Sequence, residues 1–530
     1  MRNKNIYWFI IIYFIIAAFP INNIPLFETT EARYAEIAWE MAASGNYLEP
    51  HFNGIKHFHK PPFTYWINAL GIKLFGVNGF GVRIFGVLAS ALILFITYKL
   101  ANILLKDKVK AENSVYILSA SLLFIAVSRI VSTDIYLTLF TVLSQYFLFN
   151  QIYGKKSSLN AVWYGLFLGF GFITKGPIIF LFTLLPFLVG KVFFKSHRKV
   201  FTLKDIAFGI LTFLIISLPW YIAVIIKNPE LLNYFLKVQT VDRVVTNRFH
   251  RNKPFYFFIL TFAGTFFPFI IIFVKDLIKH VKPVTEKLAP YFYVIVPFII
   301  FSLAKSKLAT YILPFYPIAG IIVADSIDAK IFNTKYFRIP TLIFAGLLPF
   351  AFIAAIFVYP VLKGYLLTIL IFFILTLLLF INLYKRFNLL NFSVYIIFIS
   401  FCIYSTLPIL GPEIKGFKEM TEEINKLDKD KRFEVLTYKT FIPSISFYRQ
   451  KITVAALGKE RETQFQYDDS YKKYYIKNMT ELSDFLDTQK TLFVVTKAGN
   501  INDMSKFGFS CKNYFNQRKY SLYLCTKLNK

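Results

Sequence analysis

Residues 27–66 read FETTEARYAEIAWEMAASGNYLEPHFNGIKHFHKPPFTYW, the one long polar interruption in an otherwise apolar N-terminal half. It holds acids (Glu28, Glu31, Glu36, Glu40, Glu49), bases (Arg33, Lys56, Lys60) and three histidines (His51, His57, His59). An apolar run precedes it at 6–24 and another follows at 79–100. A connection of this length is far longer than a turn between two membrane spans requires, and long ordered loops tend to carry function. The rest of the chain agrees with a membrane setting. Of its 530 residues 56% are hydrophobic and 63 are Phe, more apolar surface than a water-soluble core hides.

A crossing helix needs about 20 apolar residues. Runs of that kind fall near 6–24, 79–100, 114–131, 134–152, 159–174, 176–194 and 205–226, then near 255–274, 289–304, 308–325, 339–359, 364–384 and 391–411. The expectation is about 13 transmembrane helices, with Lys175 and Gly176 interrupting the 159–194 region. The N-terminus has a basic start and an apolar run, as a signal peptide would, but no small-residue cleavage site follows; it reads as the first span.

The net charge of +30 gathers mainly in short connections between spans, which writes topology and argues against nucleic acid as a partner. With the N-terminus inside, the alternate connections hold Lys106, Lys108 and Lys110; Lys155 and Lys156; Lys191, Lys195, Arg198 and Lys199; Lys275, Lys279 and Lys282; Lys330, Lys335 and Arg338; and Lys385 and Arg386. All are basic, as the cytoplasmic side demands. An odd number of spans then places everything after Gly411 outside.

The complementary connections collect unusual polar residues: the loop 25–78, Ser132-Thr133-Asp134, Thr174-Lys175-Gly176, the segment 227–254 and Ala304-Lys305-Ser306-Lys307. Ionisable groups at a membrane boundary are costly and mark function. In the loop, residues 31–43 have the apolar spacing of an amphipathic helix lying on the surface, Ser44-Gly45-Asn46 stops it, and Pro61-Pro62 starts a second helix. Division falls at 412: residues 1–412 form the transmembrane domain and 413–530 a small α/β domain. In that tail KGFKEMTEEINKL and PSISFYR read as helices, and FEVLTY, KTLFVVT and YSLYLCTKL as strands. It contains no phosphate loop or metal motif. Cys511 and Cys525 make a disulfide only if the tail lies outside the cytoplasm; Cys402 stands apart.

Each candidate site residue has a bland reading beside its functional one. Glu31 is a base or metal ligand, or an acid stabilised at a helix N-terminus, and Arg33 orients it or binds phosphate, or is an arginine reaching for water. Asp134 is a site acid or a helix cap, and with Glu31 it is the candidate pair for a divalent metal. Lys60, Lys175, Arg243, Lys305 and Lys307 are phosphate-binding cations or interfacial side chains. The three histidines lack the helical spacing of a zinc site.

Five segments together carry a resemblance: 31–66, FGVNGFGVR at 75–83, TDIYLTLF at 133–140, TKGP at 174–177 and AKSKLATYILP at 304–314. In this order they resemble the lipid A 4-amino-4-deoxy-L-arabinose transferases and, more broadly, the polyprenyl-phosphate-sugar glycosyltransferases related to the protein O-mannosyltransferases. The resemblance implies a C-type glycosyltransferase fold in a bacterial inner membrane, with the active site and tail domain facing the periplasm. It also implies a polyprenyl (undecaprenyl) phosphate sugar donor and a lipid A or other envelope acceptor, lipid or glycan. The family's first-loop motif usually begins Asp-Glu-x-Arg-Tyr; here it reads Thr30-Glu31-Ala32-Arg33-Tyr34. Glu31 is the nearest substitute for the missing aspartate, with Glu28 behind it. Arg33, Tyr34, Lys60, Asp134, Lys175, Lys305, Lys307 and Tyr311 match their motif positions, and Arg243 matches with different flanks. The competing expectation is a transporter or flippase of a lipid-linked sugar, which calls for charges at the bilayer midplane and repeated halves. The charges here lie at the ends of the runs, and no internal repeat is visible.

Overall fold

The computed structural model describes residues 5–28, 30–241, 252–281, 285–327, 334–413, 416–458, 465–466 and 469–528. The chain forms two compact units. One comprises Met1–Phe19, His59–Phe63 and Gly86–Ile403; the other comprises Pro20–Phe58, Thr64–Phe85 and Tyr404–Lys530.

The first unit is helical. Among the described residues, eight helices are long and apolar enough to cross a membrane, or up to ten if each of two bent pairs is one span. The bent pairs are Lys108–Ser119 with Leu122–Ser128, at 66°, and Phe257–Thr265 with Ile270–Val281, at 117°. The expected count of about 13 is not reached by this measure, and the shortfall lies in particular segments. The Asn5–Ala18 helix has only 14 residues. The Thr133–Tyr153 helix is long enough but carries Thr138, Thr141, Ser144, Gln145 and Gln151, all buried. The runs expected at 159–174 and 176–194 join as Ser158–Phe193.

Polar side chains inside these helices answer to their own backbone: Thr138 donates to Asp134 O and Ser144 to Phe140 O, each at 2.7 Å. The Ser158–Lys175 helix packs tightly on Leu203–Lys227, because a methyl on Gly165 would stand 2.0 Å from Gly209 O. Small residues permit such backbone approach where no hydrophobic effect drives helices together. Leu203, Ile226, Phe357 and Leu367 remain exposed, as lipid-facing side chains do.

The second unit joins the first loop to the tail. Its loop portion contains the Thr30–Ser44 helix, the strands β1 (His51–Phe52) and β2 (Ile55–Lys56), and most of the Phe63–Phe75 helix. β1 and β2 are antiparallel, with Phe52 opposite Ile55. Asn53 and Gly54 between them have φ of 52° and 80°, the left-handed pair that a two-residue hairpin turn requires. The Thr30–Ser44 helix forms where the sequence expects it but is no surface helix, since Glu31, Ala32 and Tyr34 through Met41 are all buried.

The tail forms a six-stranded sheet in the order β5-β4-β3-β6-β8-β7, from β3 (Glu434–Tyr438), β4 (Val454–Ala456), β5 (Tyr475–Ile476), β6 (Thr491–Lys497), β7 (Phe509–Gln517) and β8 (Tyr520–Lys527). β3 runs parallel to β4 and β6, and β8 pairs antiparallel with both β6 and β7. Alternation along the central strands fills both faces. Leu436, Leu492 and Val494 pack with Leu482 and Leu486 on one side, while Val435, Phe493 and Val495 pack with Met420, Ile424 and Ile445 on the other. All five tail segments read from the sequence are present, and Cys511 is bonded to Cys525 across the β7–β8 ladder.

Candidate active site

Three of the expected residues meet in the first unit. Ser132 caps the Thr133–Tyr153 helix by accepting from Asp134 N at 3.1 Å, which sets Asp134 in the first turn, where the helix dipole favours a carboxylate. Lys175 is the last residue of the Ser158–Lys175 helix, where the dipole favours a cation, and Gly176 ends that helix with φ 75°. The Lys175 ammonium donates to the Asp134 carboxylate. It also lies 4.4 Å from the centre of the Tyr311 ring, and all three side chains are buried. A cation shared between a carboxylate and an aromatic face, away from water, is held by forces that bulk solvent would screen.

The remaining candidates of this unit differ from one another. Lys60 is half-buried, and the neighbouring His59 ring stacks 6.3 Å from Tyr234. Lys305 is exposed. Lys307 is buried instead: its amine donates to Lys253 O at 3.0 Å and to Ala304 O at 2.5 Å, and burial pulls it below the ordinary lysine range. The two lysines of the expected phosphate site thus differ in setting: Lys307 is held by backbone carbonyls, while Lys305 is not buried with it. Arg243 lies outside the described residues.

In the second unit Glu31 is engaged on both oxygens. Arg83 Nε donates to Oε1 at 2.8 Å and Nη2 to Oε2 at 2.9 Å, while Phe27 N donates to Oε2 at 3.0 Å. The guanidinium also donates to Ile21 O and Ile24 O, both at 2.7 Å, and to Pro25 O at 3.0 Å. This fork, fully buried, ties the segment 21–31 to the start of the Gly79–Leu105 helix. Sequence reasoning misses Arg83, because a lone arginine in FGVNGFGVR gives no sign of its partner. Arg33 lies half-buried near the Tyr34 ring, and Tyr34 packs on Tyr65 with ring centres 5.5 Å apart. Glu36 and Glu40 accept from Asn53 N at 2.9 Å and Gly54 N at 2.8 Å, so two acids that look solvated in sequence fasten the hairpin turn.

The candidate metal pair, Glu31 and Asp134, is committed to protein cations. Among the described residues no group of three His, Cys, Asp or Glu side chains assembles a metal site. Two of the histidines flank the hairpin and are engaged locally: His51 Nδ1 lies 2.8 Å from Glu49 O, and His57 packs edge-on to Phe52.

The helical unit and sheet-bearing tail are shared with solved structures. ArnT from Cupriavidus metallidurans bound to undecaprenyl phosphate superposes with a TM-score of 0.82 at 20% identity, covering 99% of this chain and 98% of that one. The archaeal oligosaccharyltransferase AglB from Archaeoglobus fulgidus follows at a TM-score of 0.52 and 13% identity, covering 99% of this chain and 74% of that one. The fold is therefore that of a C-type glycosyltransferase, a polytopic helical membrane protein with an α/β tail.

Residues 59–222 match the family described as dolichyl-phosphate-mannose-protein mannosyltransferase. An uncharacterized protein of Aquifex aeolicus is 29% identical over 80% of this chain and 82% of its own. The undecaprenyl phosphate-alpha-4-amino-4-deoxy-L-arabinose arabinosyl transferase of Edwardsiella ictaluri is 30% identical over 60% of this chain, and the chain spans 58% of that relative's length. The resemblance to the arabinose-transferase-like glycosyltransferases drawn from the five segments is borne out by these matches.

Proposed function

We propose that this chain is an inner-membrane glycosyltransferase that moves a sugar from a polyprenyl phosphate to an envelope acceptor, a lipid A-type lipid or glycan, on the periplasmic side. The observation that carries the reading is the buried Asp134–Lys175–Tyr311 cluster, assembled from three segments far apart in sequence. In this reading the donor phosphate draws Lys175 away from Asp134, with Lys60, Lys305 and Arg243 as further cations for the phosphate charge. The acceptor oxygen attacks the anomeric carbon, the bond from that carbon to the phosphate oxygen breaks, and polyprenyl phosphate leaves with its negative charge held by these cations. Asp134, released from its lysine, takes the proton of a hydroxyl acceptor; an acceptor phosphate arrives ionised and needs no base. Glu31 and Arg33 carry the first-loop part of the machinery, Glu31 by holding the loop through Arg83 and Arg33 with Tyr34 by contacting donor or acceptor.

The Cys511–Cys525 disulfide supports a tail exposed to an oxidising compartment, as does the basic character of the connections assigned to the opposite side. The test incubates purified protein with polyprenyl-phosphate sugars and extracted envelope lipids and follows acceptor mass. A mass increase equal to one sugar, matched by release of polyprenyl phosphate, is expected. Absence of donor consumption with every sugar and lipid fraction would overturn the reading.

A further inference from the structure

The segment 21–28, which leads into the Glu31 helix, has its backbone polar groups claimed from two directions. Arg83 takes the carbonyls of Ile21, Ile24 and Pro25. The tail takes the rest of the approach: Tyr448 Oη accepts from Leu26 N at 2.8 Å, and Ser444 N donates to Glu28 Oε1 at 3.0 Å. Both tail residues lie on one short helix, Pro443–Arg449, which packs on the Thr30–Ser44 helix. Gly416 lets the tail come this close, because a methyl there would stand 2.4 Å from Pro25 Cβ.

A second set of tail contacts holds the hairpin. Asn53 Nδ2 donates to Thr453 O at 2.8 Å, and Asn53 Oδ1 accepts from Ser446 Oγ at 2.8 Å and Thr453 Oγ1 at 3.2 Å. Ile55 packs against Ala455 and Tyr475, and Phe52 against Phe441 with ring centres 5.1 Å apart. All of these partners lie within the second unit.

We propose that the tail domain is a clamp on the first loop, with Tyr448 and Glu28 as positioning residues that fix where the Glu31–Arg33–Tyr34 turn is presented. The proposal rests on the transferase reading above. The argument is geometric. Phe27 N, one residue beyond the amide that Tyr448 holds, donates to Glu31, so freedom at Leu26 passes directly to the Glu31 carboxylate. A loop held from two sides pays its ordering entropy once, on folding, and not at each encounter with substrate.

The test uses the full chain in lipid vesicles and three variants, Tyr448→Phe, Gly416→Ala and Glu28→Ala, with Glu28→Gln as rescue because its amide oxygen still accepts from Ser444 N. Amide hydrogen exchange across residues 24–31 is expected to rise about tenfold in the first three and to stay near wild type in Glu28→Gln. In release of polyprenyl phosphate, kcat is expected to fall about tenfold and KM for the lipid donor to change less than kcat, since the lysines assigned to the donor phosphate lie in the other unit. Unchanged exchange overturns the clamp, and faster exchange with unchanged kcat overturns the positioning role. A wild type that releases no polyprenyl phosphate from any donor refutes the transferase reading and the positioning role with it, while exchange still decides whether the clamp exists.

Discussion

Replacing Arg83 with methionine separates a holding role for Glu31 from a chemical one. The substitution removes the Arg83 hydrogen bonds to both Glu31 oxygens and to the carbonyls of Ile21, Ile24 and Pro25, and takes the guanidinium fork from a carboxylate with 4% side-chain exposure. Breaking a buried pair on one side costs about 3–5 kcal/mol, most of it the penalty of the stranded charge. Stranded carbonyls add to this, but they share the same loosened loop and do not sum independently. Glu31→Leu should cost a similar amount, because Arg83 is then the stranded charge. The double variant should lose clearly less than the sum, with a coupling of about 2 kcal/mol or more. Arg83→Lys keeps the charge without the planar fork, and should fall between wild type and Arg83→Met.

The assay is urea-dependent proteolysis of the loop-and-tail unit in the purified, detergent-held protein, read by fragments that begin within residues 20–58. If Arg83→Met abolishes turnover while protease resistance stays within about 0.5 kcal/mol of wild type, the pair is not structural and the holding role assigned to Glu31 is wrong.

In the buried cluster, Asp134→Asn and Lys175→Met should each lower turnover about a hundredfold or more with the protein still inserted. Tyr311→Leu should lower turnover more than Tyr311→Phe, because the lysine uses the ring face, worth about 0.5–2 kcal/mol when dry; steady-state kinetics on the four variants checks both statements. Lys305→Met should raise KM for the lipid donor severalfold with little change in thermal stability, whereas Lys307→Met should lower the thermal midpoint, since its amine caps backbone carbonyls. Glu28 gives a pH prediction: burial pushes it up to about 7 from 4.5, so the folded state holds its proton more tightly than the unfolded chain. Stability of the second unit should therefore be greatest below pH 4.5 as far as this group is concerned and decline as pH rises through about 7. Glu28→Gln should flatten that decline in melts compared at pH 5 and pH 8.

What could be read before any coordinates follows the reach of the forces involved. Local periodicity placed the long apolar helices and the five tail segments, because a helix or strand writes its own period into the chain. Asp134, Lys175 and Tyr311 were legible as boundary residues with no reason to be polar or aromatic there. Their meeting was not legible, because nothing local records a contact between three separate segments. Lys305 and Lys307 look equivalent on paper, yet one is exposed and the other is sunk onto two carbonyls. Glu36 and Glu40 follow the pattern of a solvated helix face, which is why a surface helix was expected; only the hairpin amides they accept from explain why they are buried. The Asn53-Gly54 hairpin is missing from the sequence reading, although Asn-Gly is a dipeptide that suits its left-handed turn. The strands Val454–Ala456 and Tyr475–Ile476 are too short to leave a period.

Leu26 finds its partner 422 residues later in the chain. At a synthesis rate of about 5–20 residues per second, the first loop exists for roughly 20–80 s before Tyr448 is made. During that interval its hairpin edge, its Glu28 carboxylate and the Leu26 amide have only water or a chaperone to satisfy them. A ribosome that stops early would leave a fully threaded helical bundle carrying an unfinished loop. Such a chain would keep the Leu26 amide and the Glu28 carboxylate without the tail partners that a completed chain gives them.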